Sequence, residues 1–171
     1  MIRATGIDKI YKLPDGNDFY ALHDVEVEIP DGTLTILKGR SGSGKTTLLN
    51  ILSALDTASN GSVLFDEYEL TTLSEKEKEQ LRRYEIGFVF QAVALIPIMT
   101  AYENVEYALR LAGVKKGRKQ RAYECLEKVG LAERMHHYPA EMSGGEQQRV
   151  AIARAICHKP KVIFADEPTA E

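Results

Sequence analysis

A glycine-rich segment with one lysine and one threonine gives the strongest chemical signal in the sequence. Residues 39–46 read GRSGSGKT and fit the pattern G-x-x-x-x-G-K-[ST]. In such a phosphate loop, backbone N–H groups and the next helix N-terminus attract phosphate, Lys45 adds a full charge, and the Thr46 hydroxyl can bind Mg²⁺. The alternative is a glycine-rich turn without a ligand. The predicted binding residues in and just after this loop are Gly39, Arg40, Ser41, Gly42, Ser43, Gly44, Lys45, Thr46 and Thr47.

Two adjacent carboxylates, Asp166 and Glu167, follow the apolar run VIFA. Ligands of open α/β sheets bind beyond the carboxyl ends of the strands, so a carboxylate there is well placed for chemistry. Asp166 can join a Mg²⁺ shell, and Glu167 can orient and deprotonate an attacking water. Strand ends are often acidic without any function, and it is the phosphate loop elsewhere in the chain that favours the functional interpretation.

The first half of the chain predicts strands around the phosphate loop and one helix after it. Hydrophobic alternation and turn residues favour strands at 3–13, 25–29, 33–38 and 62–65, with a turn at Asn60-Gly61 before the last of them. The segment 45–55 has the apolar spacing of a helix. Ser74 begins a highly charged helix.

The second half predicts mostly helices between two strands. The strands are IGFVFQ at 86–91 and KVIFA at 161–165. Two capping boxes, Thr100 with Glu103 and Ser143 with Glu146, mark helix starts. Gly113, Gly130 and Cys157 mark the expected helix ends. The order of elements predicts an α/β core with a helical lobe.

Composition excludes several classes of protein. The chain has 171 residues, a net charge of −3 and a pI of about 5.9, so it lacks the overall basic charge typical of nucleic-acid binding. Its two cysteines, Cys125 and Cys157, lie in apolar helical segments and are expected to be buried thiols. No run approaches the roughly 18 apolar residues of a membrane span, so any membrane role is expected to come through a partner.

Four motifs in one order resemble the ATP-binding-cassette (ABC) ATPases. The segment MSGGEQQRVAIARAI, residues 142–156, resembles the signature motif of that family, with Met142 where Leu is usual and Glu146 where Gln is common. Gln91 looks like the Q-loop glutamine, and Tyr11 occupies the place of the aromatic residue that stacks on adenine. Together with the phosphate loop and the Asp-Glu strand, the resemblance covers the whole chain. It is most similar to the lipoprotein-release and macrolide-export branch.

The resemblance implies a P-loop NTPase fold of the α/β class. It implies an antiparallel β subdomain and an inserted α-helical signature subdomain, with a nucleotide-binding core at 1–91 and 160–171 and the helical part at 92–159. Family members continue for several dozen residues beyond DEPT, with further strands and a switch histidine that none of the four histidines here replaces. C-terminal strands are therefore expected to be missing. We expect nucleotide binding with weak or absent hydrolysis, and association through the exposed sheet edge.

The family's roles transfer to matching positions of this chain, with ATP and Mg²⁺ as the implied cofactors. The implied catalytic residues are Glu167, Lys45 and Gln91, and the implied metal ligands are Thr46, Gln91 and Asp166. The signature residues implied to contact nucleotide on the other monomer of a head-to-tail homodimer are Ser143, Gly144, Gly145 and Glu146.

The implied function is the ATP-binding subunit of a transporter, held at the inner face of the membrane by an FtsX-like permease. The expected permease contact is the apolar loop at 92–102, although packing of the helical lobe would explain the same residues. Two alternatives stay open: an ABC ATPase outside transport, and a non-catalytic nucleotide-binding fragment.

Overall fold

The computed structural model describes residues 1–168, and the chain divides into two compact units, Met1–Gln80 and Leu81 onward. The predicted division into a core and a helical subdomain at 92–159 stays a prediction. The first unit contains β1 (Ile2–Lys12), β2 (Asp18–Ile29), α1 (Lys45–Leu52), β3 (Asn60–Phe65) and β4 (Tyr68–Glu69). Helix α2 (Glu75–Tyr84) runs across the division. The second unit contains β5 (Ile86–Val89), α3 (Ala101–Leu111), α4 (Arg118–Lys128), α5 (Gly144–Ile156) and β6 (Val162–Ala165), with short 3-10 helices at Ala132–Arg134 and Pro139–Glu141.

An antiparallel sheet in the order β2-β1-β3-β4 organises the first unit. Ala4 on the central strand β1 pairs with Val27 of β2 and Val63 of β3, which confirms the strands predicted at 3–13, 25–29 and 62–65. The turn predicted at Asn60-Gly61 is wrong, because both residues belong to β3. A Cβ at Gly61 would lie 2.4 Å from the carbonyl oxygen of Gly6, so the glycine serves a close approach of two backbones.

The strand predicted at 33–38, directly before the phosphate loop, is also wrong. This segment has no regular secondary structure, and Leu34 and Ile36 are 89% and 66% exposed. Its apolar composition favours a strand only where another strand accepts its backbone hydrogen bonds. Among residues 1–168, no strand pairs with it.

A parallel pair of strands and three helices form the second unit. Strands β5 and β6 pair in register, with Ile86 opposite Val162 and Val89 opposite Ala165. Helices α3, α4 and α5 enclose a buried apolar cluster that includes Val105, Leu109, Leu126 and Val150.

The helix boundaries of the second unit follow the predicted signals. Both capping boxes are formed, with Thr100 and Ser143 as the N-cap residues of α3 and α5. Gly113 and Gly130 take φ angles of 72° just beyond α3 and α4, which confirms them as helix stops. Helix α5 lies close to β5, because a Cβ at Gly87 would lie 2.4 Å from the carbonyl oxygen of Ala155.

Both cysteines are buried thiols, as predicted. Burial raises the pKa of the Cys157 thiol to about 12, so this thiol stays protonated at neutral pH. No helix in the described part of the chain is long and apolar enough to cross a bilayer.

Candidate functional site

The phosphate loop owes its shape to glycines that no other residue could replace without strain. Gly42 and Gly44 have φ angles of 77° and 86°, in the left-handed region, and Gly44 is the N-cap of α1. A Cβ at Gly44 would also lie 2.5 Å from the carbonyl oxygen of Ala21 and 2.7 Å from Cδ2 of Leu22. Positive φ and close packing therefore both require glycine at this position.

The lysine of the loop folds back over its own backbone. Lys45 Nζ donates to the carbonyl oxygens of Gly39 and Arg40, at 2.9 and 3.0 Å. These contacts hold the ammonium beside the exposed loop backbone, at the N-terminus of α1. An ammonium with oxygen acceptors around it can exchange those carbonyls for phosphate oxygens, and the helix N-terminus adds to the attraction.

Helix α1 is anchored behind the loop by its apolar face. Leu48, Ile51 and Leu52 are buried, whereas Thr46 is exposed on the first turn. The backbone of Gly39 lies close to the Ser43 side chain, since a Cβ at Gly39 would lie 2.6 Å from Ser43 Oγ. The exposed residues of the loop therefore stand on a firmly packed base.

In the second unit, the parallel pairing of β5 and β6 brings two predicted catalytic side chains together. Because Val89 is opposite Ala165, the residues after both strands meet at the same edge. There Gln91 Nε2 donates a 2.7 Å hydrogen bond to Glu167 Oε2. Glu167 has a φ of 47°, in the left-handed region that is uncommon for a residue with a side chain. The hydrogen bond from Gln91 orients the exposed carboxylate of Glu167.

Asp166 lies beside this pair and is held by the sheet. Its backbone N–H donates to the carbonyl oxygen of Val89 at 3.0 Å, and the residue is only 7% exposed. Asp166 supplies a carboxylate, and Gln91, whose amide nitrogen is engaged by Glu167, keeps its amide oxygen for another ligand. Hard oxygen donors of this kind fit Mg²⁺, which is often held by one or two carboxylates together with phosphate oxygens and water. Within residues 1–168, no three His, Cys, Asp or Glu side chains cluster to hold a metal by themselves.

The signature segment presents the N-terminus of α5. The Ser143 hydroxyl accepts from the Glu146 N–H, and the Glu146 carboxylate accepts from the Ser143 N–H at 2.8 Å. Glu146 also pairs with Arg134 at 3.3 Å, so within this chain its carboxylate acts as a cap. Among residues 1–168, and apart from its neighbours in the helix, a Cβ at Gly145 would meet only the end of the Arg149 side chain, at 3.8 Å. Packing inside the chain therefore does not explain a glycine at this position.

The loop between β5 and α3 contains both a buried anchor and an exposed apolar side chain. Asn104, 1% exposed, accepts from the Ile96 N–H at 2.8 Å and donates to the carbonyl oxygens of Ile96, Met99 and Thr100 at 3.0 to 3.2 Å. Ile98 in the middle of this loop is 83% exposed.

The predicted adenine-stacking residue has a defined environment on β1. Tyr11 is 42% exposed, its hydroxyl lies 3.5 Å from Asp56, and Lys9 Nζ lies 5.2 Å from the ring centroid. Lys9 is itself fixed by a 2.7 Å ion pair with Asp56. The ring is therefore held in place and partly accessible, and its stacking role stays a prediction.

Several features of these sites escaped the sequence analysis. The Gln91–Glu167 hydrogen bond joins residues 76 positions apart, and only the register of β5 and β6 reveals it. The hydrogen bonds of Asn104 to the loop backbone at Ile96, Met99 and Thr100 likewise have no signal in the sequence. The contacts of Lys45 with loop carbonyls require coordinates to detect.

The comparisons with known proteins agree with the motif order. The profile of the family described as ABC transporter matches residues 22–170. The ABC transporter ATP-binding protein YknY of Bacillus subtilis, described as uncharacterized, is 44% identical over 99% of this chain and 74% of its own length. A lipoprotein-releasing system ATP-binding protein, LolD 2 of Chlorobaculum tepidum, is 45% identical over 99% of this chain and 71% of its own length, which confirms the predicted likeness to that branch.

Solved structures match the whole fold. The ATP-binding cassette MJ0796, from Methanocaldococcus jannaschii, superposes with a TM-score of 0.93 at 41% identity, over 99% of this chain and 75% of that one. That structure is described as dimeric, in a post-hydrolysis state with ADP and phosphate bound. The match confirms the predicted fold class, and the chain spans about three-quarters of the length of these relatives.

Proposed function

We propose a function on the premise that this chain belongs to the ABC transporter family: it is an ATP-binding subunit that binds and hydrolyses ATP to drive a membrane permease. The observation that carries the proposal is the phosphate loop, whose glycine conformations and lysine contacts suit a triphosphate. The likeness to named ATP-binding proteins over nearly the whole chain supports the same nucleotide.

In this proposal, the phosphate loop binds the β- and γ-phosphates of ATP. Backbone N–H groups of the loop at 39–46 donate to phosphate oxygens, and Lys45 exchanges its carbonyl partners for them. The Thr46 hydroxyl is a proposed Mg²⁺ ligand, and Tyr11 a proposed partner of the adenine ring. The negatively charged phosphates then replace the loop carbonyls as partners of the Lys45 ammonium.

The carboxyl ends of β5 and β6 supply the proposed hydrolytic groups. Mg²⁺, when bound, neutralises charge on the phosphates, with Asp166 and the Gln91 oxygen as its proposed protein ligands. Glu167 accepts a proton from the attacking water, and the hydrogen bond from Gln91 holds its carboxylate in one orientation. The expectation that this chain hydrolyses ATP weakly or not at all stays a prediction.

The N-terminus of α5 is proposed to act on nucleotide held by a second copy of the chain. The capped helix offers N–H donors at Ser143, Gly144 and Gly145, which suit an anion. Gly145 has room for a side chain within this chain, so an external ligand that approaches the backbone would explain its identity. The dimeric state of the similar cassette supports a homodimer. We propose that its two copies lie head to tail, with Ser143–Glu146 at the shared nucleotide.

The permease is proposed to bind the loop that follows Gln91. Ile98 is 83% exposed, while Leu95 packs on the helical cluster, so the loop combines an outward apolar contact with a fixed base. We propose an FtsX-like permease and a peripheral position at the inner membrane face, because of the likeness to a lipoprotein-releasing ATPase.

Titration with MgATP, with phosphate release followed in parallel, tests the proposed function. The variant Lys45→Ala should weaken ATP binding roughly 10- to 100-fold, because it removes a charge-assisted contact to phosphate. Lys38→Ala, an exposed lysine just before the loop, is the matched control and should change the affinity less than about threefold. Equal binding by the Lys45→Ala variant and the wild type would refute the proposal.

A further inference from the structure

We propose that Arg154 is a positioning residue for Gln91, and that it links this glutamine mechanically to the helix that begins at the signature motif. Arg154 lies in the last turn of α5, and its guanidinium Nη1 donates to the carbonyl oxygen of Ala94. Ala94 is three residues beyond Gln91. The inference rests on the proposed function only for the role of Gln91 in binding Mg²⁺.

The Arg154 guanidinium makes its contact from a partly buried position. Burial lowers the pKa of the Arg154 guanidinium, which means that its surroundings disfavour the charge. The charged guanidinium nevertheless donates to a neutral backbone carbonyl. A hydrogen bond with an ionised donor is stronger than one between two neutral groups. A side chain needed only to fill space beside α5 would not require a cation.

Hydrogen bonds hold the loop after Gln91 at three points. Gln91 is tied to Glu167 at its beginning, Ala94 is tied to α5, and the N–H and C=O groups of Ile96 are both tied to Asn104. Only three residues lead from Gln91 to Ala94, and three residues span about 10 Å at most, so a fixed Ala94 limits the positions open to the backbone at Gln91. Asn104 secures the far end of the loop independently of Arg154.

Helix α5 is suited to transmit movement from its N-terminus to Arg154. It has 13 residues, a complete capping box at Ser143, and a buried face that includes Val150 and Ala153. A rigid helix moves as one body. A partner or nucleotide that shifts Ser143 therefore shifts the guanidinium, the Ala94 carbonyl and the loop that positions Gln91.

A spin label in the loop tests the positioning without nucleotide. Ala92 is exposed and adjacent to Gln91, and both native cysteines are buried, so Ala92→Cys gives a single accessible thiol. In this background, we expect the label to give a partly immobilised spectrum. Arg154→Gln should abolish the immobilised component, and Arg154→Lys should retain part of it. Arg149→Gln, an exposed arginine of the same helix, is the control and should leave the spectrum unchanged. An unchanged spectrum in the folded Arg154→Gln protein would overturn the inference, as would equal effects of the two arginine changes.

A double-mutant cycle tests whether Arg154 acts through Gln91. ATP affinity is measured with and without Mg²⁺ for wild type, Arg154→Gln, Gln91→Ala and the double variant. Each single change should reduce the Mg²⁺-dependent gain in affinity roughly tenfold and leave Mg²⁺-free affinity within about twofold. The double variant should lose no more than Gln91→Ala, because one residue acts through the other.

The outcomes separate this inference from the proposed function. Additive losses in the cycle would show that Arg154 does not act through Gln91, and so would loss of Mg²⁺-free affinity alone. If the wild type bound no ATP at all, the proposed function would fail, whereas the spin-label spectra would still decide whether Arg154 positions the loop. Should Arg154→Gln fail to fold, the graded effect of Arg154→Lys on the spectrum decides the same question.

Discussion

The phosphate loop and the carboxyl ends of β5 and β6 are built on opposite principles. In the phosphate loop, backbone groups face the solvent and the glycines at 42 and 44 determine their direction. At the strand ends, the chemical groups are side chains, and a sheet register brings Gln91 to Glu167 across 76 positions of sequence. A site built from backbone groups is therefore determined by the sequence of one short segment. A site built from side chains depends on the fold of the unit around it.

This difference predicts where each region tolerates substitution. Changing a glycine of the phosphate loop alters the site and strains the fold at the same time. Changing Gln91 alters an exposed side chain and leaves the backbone of β5 intact. The following substitutions test this contrast, from the largest expected loss of stability to the smallest.

Gly44→Ala should have the largest effect. The new Cβ would meet the Ala21 carbonyl oxygen at 2.5 Å, and the φ of 86° would be strained, so we expect a loss of about 3 kcal/mol in the free energy of unfolding. Gly42→Ala is the matched control, because Gly42 has a similar φ and a Cβ there would meet no atom of residues 1–168 within 4 Å, apart from its chain neighbours. This variant should lose only about 1 kcal/mol. Urea unfolding of both variants measures the difference. Equal losses would mean that packing against Ala21 contributes nothing.

Gly87→Ala should have the next largest effect, in the second unit. Its Cβ would lie 2.4 Å from the carbonyl oxygen of Ala155, so β5 and α5 would have to separate, at a cost of about 2 kcal/mol by overpacking. Positive φ plays no part at this position. Chemical denaturation measures the loss, and a variant as stable as wild type would show that the strand and helix can separate freely.

Much of the fold was predictable from sequence because its signals are local. The spacing of Thr100 and Glu103, and of Ser143 and Glu146, was sufficient to locate the starts of α3 and α5. The strand predicted at 33–38 is wrong. Apolar residues indicate a preference for extended backbone, but a strand also needs a partner strand elsewhere in the chain. Likewise, the candidate residues were predicted by motif, but their hydrogen bonds depend on tertiary register.

Gln91→Ala should have little effect on stability. The side chain is exposed and its hydrogen bond to Glu167 has water as a ready substitute, so we expect a change within about 0.5 kcal/mol. Urea unfolding checks this, with Gln120→Ala on α4 as the control for loss of an exposed glutamine that bonds a glutamate. A loss as large as that of Gly87→Ala would mean that the Gln91–Glu167 bond supports the fold, and the contrast between the two regions would disappear.

The smallest effect should come from Glu146→Gln, because either residue can complete the capping box at Ser143. The backbone N–H and hydroxyl of Ser143 lower the pKa of Glu146, with help from nearby Arg134. A lowered pKa means that the carboxylate stabilises the fold above its ordinary pKa of 4.5, and that this contribution is lost as the pH falls through the lower, folded-state value. The glutamine variant should therefore match wild type closely at pH 7 and lose less stability between about pH 5 and pH 3. Thermal unfolding across this range measures the difference, since the other capping glutamates contribute equally to both proteins. Parallel pH profiles would show that the charge of Glu146 adds nothing to the cap.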